Sequence, residues 1–215
     1  MTSDDFNLAD PHYTPVILYV NLDHNDNMKK QIKQLVSFFS LVLCLKKVRR
    51  SGWIFKVGVT SPESVADHSF CMCMMTMVIS DLAGLDTERA MKMTILHDLG
   101  ESIIGDLMPD KILPSRKKIL EEKAILSILQ KLPHPLRAEY ETIWNEYSDH
   151  STDLSQFVHR IDKLEMAFQA KDYVLNGYSR EKLREFIDSA HRTIIGVKND
   201  LISEVLQGLN AAKAN

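Results

Sequence analysis

Apolar and polar positions fall into a three-four rhythm at about Met28 and keep it, with short interruptions, almost to the end of the chain. Residues 1–27 show no sustained period and read as an N-terminal extension. Leu35, Phe38, Phe39, Val42 and Leu45 then mark the buried face of a first helix. The stretch KKVRRSGWIFKVGVTSPES, Lys46–Ser64, holds two glycines, a proline and β-branched residues and reads as a loop. Ser61-Pro62-Glu63-Ser64 opens a second helix, which runs to about Ala83 and stops at Gly84. Asp86 or Thr87 caps the next, expected to run unbroken through MTILHDLGESIIGD and to end near Gly105. Pro109 and Pro114 mark a loop, and helices follow at about 115–131, 136–148, 152–175, 179–191 and 193–210. With no repeat, low-complexity segment or domain boundary, the pattern predicts an all-α fold, a single helical bundle over residues 28–215.

Composition narrows this picture rather than changing it. A chain of 215 residues can bury a sizeable core, and few Gly and Pro (8 and 7) favour helices. A net charge of −3 gives no nucleic-acid or membrane-surface footprint, so neither partner is expected. The most apolar run, Leu35–Leu45, is about half the roughly 20 residues a membrane span needs, and reads as a core helix. The start, MTSDDFNLAD, is unlike a secretory or transit peptide, so a soluble, cytoplasmic protein is expected. Cys44, Cys71 and Cys73 form no disulfide framework and read as small reduced core residues. Two positions apart on a helix, Cys71 and Cys73 diverge and do not make a metal knuckle.

What needs explaining is the charge inside MTILHDLGESIIGD. A buried carboxylate without a partner costs several kcal/mol, and this segment carries Asp98, Glu101 and Asp106 beside His97. On a helix His97 and Glu101 are four apart and Asp98 and Glu101 three apart, so all three can address one cleft. Two further apolar helices carry matching chemistry: SVADHSF holds His68 beside Asp67, and FVHRIDKLEMAF holds Asp162 between Ile161 and Leu164. His68, His97, Asp98 and Asp162 together offer two imidazoles and two carboxylates, a mixed set for one divalent ion. Four protein ligands on an octahedral ion leave room for the water a hydrolytic site needs.

The order His68, His97-Asp98, Asp162 resembles the H…HD…D signature of the HD-domain metal-dependent phosphohydrolases. RRSGWIFKVGVTSPESVADHS, HDLGESIIGD and RIDKLEMAFQA extend the resemblance to their 5′-deoxynucleotidase branch, over roughly Leu35 to Val174. It implies an HD-domain bundle that removes the 5′-phosphate from deoxyribonucleoside monophosphates, works as a homodimer, and binds one divalent ion (Mn, Co, Mg, Fe or Zn). It further implies that His68, His97, Asp98 and Asp162 hold that ion, that Glu101 and Asp106 manage the attacking water and its proton, that Arg50 meets the phosphate and that Trp53 lies against the sugar. The chain departs from the family at Met108-Pro109, where Thr usually precedes the proline, and in SRKKILEEKA, where the basic segment is reordered.

Lys46 and Lys47 suit the solvated end of a helix, whereas Arg50, followed by Trp53 in one short loop, suits a phosphate monoester. His134 and His150 fall at turns, where surface histidines are ordinary, although two-metal HD proteins recruit histidines in this interval. His159 shares a face with Asp162 and reads either as its partner or as solvated; Asp67 reads as a structural hydrogen-bonding group. The alternatives left open are an HD phosphodiesterase or guanosine-polyphosphate hydrolase, and an inactive metal-binding interaction module.

Overall fold

The computed structural model describes residues 25–108, 110–195 and 200–211. Helices α1 (Asn25–Cys44), α2 (Val65–Ala83), α3 (Thr87–Leu96), α4 (Glu101–Ile104), α5 (Pro114–Leu129), α6 (His134–Ser148), α7 (Asp153–Leu175), α8 (Arg180–Ile194) and α9 (Leu201–Ala211) account for most of them. No strand occurs among the described residues, so the all-α expectation holds. Residues 1–24 of the expected extension, and Pro109, lie outside the described residues; Asn25 to Asn27, placed in that extension, instead begin α1.

The long helix α7 is central and packs against α2, α3, α6, α8 and α9. Val158, Ile161 and Leu164 are fully buried on it, in a core shared with Met72, Met93, Ile125, Ile128 and Leu129. Ser179 starts α8 by accepting from the Lys182 N–H, and α8 runs through Ile194, taking the first residues expected in the last helix. A second, smaller cluster joins Trp53 and Val57 to Met166, Ala170, Tyr173 and Leu183.

The segment expected to be a plain loop is more ordered than its composition implied. Arg49 and Ser64 pair as an antiparallel bridge, with Arg50 N–H donating to Glu63 O at 3.1 Å and Val65 N–H to Val48 O at 2.9 Å. Between these stems Trp53–Val57 winds into one π-helical turn, closed by Gly58 in the left-handed region at φ 88°. A buried tryptophan anchors that turn, which Gly and β-branched content could not reveal.

The buried face of α1 is also rotated from expectation. Leu35, Phe38 and Leu41 pack toward the core with Leu45, whereas Phe39 is 58 % exposed. Over Leu35–Leu45 nearly every position is apolar, so that half of the helix carries little periodic signal to choose its inward face. Its outward stripe, Ile32, Val36, Phe39 and Leu43, is exposed, as is Phe70, Met74, Val78 and Leu82 along α2. The cysteines are free but not core residues: Cys71 is exposed and the other two are half-buried. No described helix is long and apolar enough to cross a membrane.

Candidate metal centre

Three segments far apart in sequence meet beside the core. Ser64 caps α2 with a reciprocal capping box, its hydroxyl accepting from Asp67 N–H while Asp67 accepts from Ser64 N–H at 2.8 Å. Asp67 is therefore the structural group it was read to be, and it fixes His68 in the first turn of α2, fully buried. The second segment departs from the sequence reading: the helix is not continuous through the His-Asp pair. It leaves α-geometry at Leu96 and passes through i→i+3 turns, Leu99 N–H to Leu96 O, Glu101 N–H to Asp98 O and Ser102 N–H to Leu99 O, before α4. Winding at three residues per turn stacks Asp98 over Glu101, and the His97–Glu101 relation is no longer that of one α-helical turn. The third segment is α7, which brings Asp162 and Glu165 into the interior.

His97 directs Nδ1 at Thr94 O, 2.6 Å away, and His68 directs Nδ1 at Glu165 Oε2, 2.5 Å away. A carbonyl and a carboxylate only accept, so both Nδ1 atoms carry the proton and both Nε2 lone pairs turn inward. Both Nε2 atoms are buried without a hydrogen-bond partner. They nevertheless face acids: His97 Nε2 is 3.0 Å from Asp98 Oδ2, and His68 Nε2 is 3.3 Å from Asp162 Oδ1 and 3.9 Å from Asp98 Oδ2. Lone pairs facing anionic oxygens at these distances repel unless a cation stands between them. His68, His97 and Asp98 offer donor atoms within 4.8 Å of one another, and Asp162 stands against His68. The donor set fits a divalent metal by geometry and chemistry alike. Without metal, protons take that place: burial opposes a charge on His68, but Asp162 and Glu165 hold its pKa up at about 9. Burial likewise opposes the Asp98 charge, which His97, Arg50 and His68 outweigh, holding the carboxyl well below the usual carboxylate range.

Glu101 behaves in the opposite way. It is 5 % exposed, its Oε2 has no partner, and burial, then Asp98 and Asp106, push its pKa up to about 10. Arg50 reaches this group of acids from the bridged loop, with Nη1 3.2 Å from Asp98 Oδ2. Desolvation works against its charge, but Asp98, Asp162, Asp106 and Glu101 outweigh it and keep the guanidinium ionised. Asp106 is committed to the same loop: Oδ2 accepts from Ser51 N–H at 2.6 Å, and its carbonyl accepts from Ser51 Oγ at 2.9 Å. The chain just after Asp106 lines a cavity of about 410 Å³ between Leu107, Met108, Ile112 and Arg116.

Trp53 lies away from this surface. It is 1 % exposed, packs on Phe186 and Tyr173 at ring separations of 4.2 and 5.2 Å, and donates its indole N–H to Glu63 Oε1 at 2.8 Å. It offers a ligand almost no surface. His159 donates Nε2–H to Tyr147 O at 2.9 Å and is held neutral by burial, which pushes its pKa down to about 4. His150, in the left-handed region at φ 51°, stacks on His159 at 3.6 Å. Neither residue, nor His134, joins a group of three possible metal donors among the described residues. Sequence reasoning missed Glu165, Glu63, Ser51 and Tyr147, whose ring meets His97 edge-on at 5.7 Å. Glu165 carried a usable signal, as an acid three residues after Asp162 on a helix otherwise buried there.

The chain matches the HD domain family model over residues 43–200. It is 36 % identical over 186 residues to the human 5′-deoxynucleotidase HDDC2, covering 84 % of this chain and 90 % of that one. It is 34 % identical to the Schizosaccharomyces pombe 5′-deoxynucleotidase hdd1, over 79 % of this chain and 89 % of the relative. Among solved structures it is similar to a conserved hypothetical protein from Pyrococcus furiosus, with a TM-score of 0.69, 34 % identity and coverage of 82 % of this chain and 99 % of that one.

Proposed function

The chain belongs to the HD-domain family, and on that premise we propose that it is a metal-dependent 5′-deoxynucleotidase acting on deoxyribonucleoside 5′-monophosphates. The observation that carries this reading is the convergence of two unpartnered Nε2 atoms and two carboxylates, with Arg50 3.2 Å from the shared Asp98 oxygen. His68, His97, Asp98 and Asp162 would hold one divalent ion. Once bound, such an ion lowers the pKa of a coordinated water and neutralises phosphate charge.

The chain's own residues supply the remainder. Arg50, kept ionised by the surrounding acids, binds phosphoryl oxygens in the two-pronged manner of a guanidinium. Burial keeps Glu101 protonated in the metal-free chain; with a divalent charge beside it the ionised carboxylate is favoured, and Glu101 would then take the proton of the attacking water at its unpartnered Oε2. Asp106 holds Ser51 and so sets where Arg50 stands, with a share in proton handling. Trp53, being buried, acts on the sugar by anchoring the loop rather than by lining a pocket. The water oxygen bonds to phosphorus as the P–O bond to the 5′-oxygen breaks, the proton taken up by Glu101 passes to that 5′-oxygen, and nucleoside and inorganic phosphate leave.

Phosphate release from deoxy- and ribonucleoside 5′-monophosphates, 2′,3′-cyclic nucleotides and guanosine polyphosphates, with Mn²⁺, Co²⁺ and Mg²⁺ in turn, tests the reading. Release from deoxynucleoside monophosphates foremost is expected; turnover confined to a diester or polyphosphate, or none with metal retained, would replace it. The proposed assembly is a homodimer, supported by the exposed apolar stripes along α1 and along α2, each four side chains long at helical spacing. The C-terminal helix is a poorer candidate, because Ile202 and Leu206 already face the core. Light scattering on the purified chain distinguishes dimer from monomer.

A further inference from the structure

His68 is the ligand with the least freedom in this centre, and the group that constrains it is not itself a ligand. Its ring is wholly buried and its Nδ1 lies 2.5 Å from Oε2 of Glu165, a residue 2 % exposed. His97 obtains the same service from Thr94 O, a neutral carbonyl of its own helix. His68 obtains it from a charged group on α7, the helix that also carries Asp162, whose Oδ1 is 3.3 Å from the other ring nitrogen. The imidazole is thus gripped on both sides by carboxylates one helical turn apart on one rigid element.

We infer that Glu165 is a positioning residue for the metal: by accepting the Nδ1 proton of His68, it fixes the tautomer and ring orientation that turn the Nε2 lone pair toward Asp98 and Asp162. A carboxylate behind a ligating imidazole also makes the ring a stronger donor. Glu63 completes the arrangement. Its carboxylate lies within 4.8 Å of the His68 and Glu165 donor atoms and is held by the Trp53 indole N–H at 2.8 Å, which ties the Arg50 loop to the back of the metal centre.

These three groups could be taken for a cation site of their own. The 2.5 Å between Nδ1 and Oε2 is a short, charge-assisted hydrogen-bond contact. Donors that each sit about 2.0–2.2 Å from one zinc ion stand farther apart than that. The indole N–H also already occupies one Glu63 oxygen.

The inference rests on the metal reading given above, and zinc binding separates the two. The probe is Zn²⁺ alone, titrated into the full chain against a chelating dye, with long-range ¹H–¹⁵N spectra of the zinc-loaded protein to read the His68 nitrogens. Wild type should bind one Zn²⁺, with His68 ligating through Nε2 and its proton on Nδ1. Glu165→Ala should weaken Zn²⁺ roughly 10–100-fold, the usual cost of losing such a partner. Glu165→Gln, whose amide oxygen can still accept from Nδ1–H, should fall between the two. A folded Glu165→Ala protein with wild-type affinity overturns the inference and leaves the metal centre standing. So does a wild-type spectrum with Nδ1 ligated and the proton on Nε2. Wild type that binds no Zn²⁺ overturns both readings. If Glu165→Ala does not fold, the spectrum of wild type and the affinity of Glu165→Gln still decide.

Discussion

Replacing Glu101 with Gln should make the metal-free protein more stable as pH rises, although it removes the group assigned to take the proton. Glu101 is buried, its Oε2 is unpartnered, and its pKa is pushed from 4.5 up to about 10 by burial and by the Asp98 and Asp106 charges. The sign follows from proton counting. Between about pH 4.5 and 10 the folded chain holds a proton that the unfolded chain has released, so stability falls as pH rises through that window. Each pH unit inside it costs about 1.4 kcal/mol, so wild type loses on the order of 4 kcal/mol between pH 5 and pH 8 through this group. Glutamine has the same shape and nothing to titrate. For a chain of this length 1 kcal/mol moves Tm by about 2–4 °C, so the variant's Tm advantage should grow by on the order of 10 °C from pH 5 to pH 8. Comparing the two proteins at each pH cancels the titrating groups that do not interact with Glu101. Thermal melts of chelator-treated protein, followed by circular dichroism across that range, provide the test. Adding divalent metal should shrink the gap, because a nearby cation favours the ionised carboxylate. Parallel Tm–pH curves for wild type and Glu101→Gln would refute the argument.

Other perturbations separate the remaining roles. Asp98→Ala should purify without stoichiometric metal, show no phosphatase activity and no longer gain Tm on metal addition; elemental analysis finding one ion per chain would count against the ligand set. Arg50→Ala should lower kcat/KM for deoxy- and ribonucleotides together by roughly 10–100-fold, since both carry the phosphate that a charge-assisted contact would hold. Truncating Trp53 to Ala would cost about 3–5 kcal/mol in a packed cluster, so Trp53→Phe is the informative change. That variant keeps the aromatic packing but loses the bond to Glu63, and should narrow the deoxy-to-ribo ratio of kcat/KM; an unchanged ratio would remove Trp53 from sugar selection. Ser64→Ala should cost about 1 kcal/mol through the α2 cap, visible as a Tm lower by about 2–4 °C.

The helices were legible because most bury one face and start or stop at residues with distinct backbone chemistry, as Ser64 and Gly84 do around α2. That His68, His97, Asp98 and Asp162 would meet was legible for a related reason: charged groups in apolar helices require a common explanation. The tight turns at His97–Gly100 were not, because α- and 3₁₀-windings accept the same residues and differ only in which carbonyl each N–H finds. Nor was the burial of Trp53, which depends on Tyr173 and Phe186, more than a hundred positions along the chain. Asp106 was found as an acid, but its grip on Ser51 became visible only when the two segments were placed side by side. Glu63 was hidden in a loop whose stems pair through Arg49 and Ser64, a contact with no local periodicity.

The distance along the chain between His68 and the carboxylate that orients it has a consequence for biosynthesis. The two are 97 residues apart, and Asp162 lies on the same late helix as Glu165. At roughly 5–20 residues per second, a ribosome needs on the order of 5–20 s after adding His68 to reach α7. Throughout that interval the nascent chain carries His68, His97 and Asp98 without the helix that confronts the first of them. On the proposed ligand set such a chain would hold an ion weakly and exchange it freely. Metal selection would then wait until α7 has docked, and the ion retained would be the one favoured by the completed geometry rather than the first one encountered during translation.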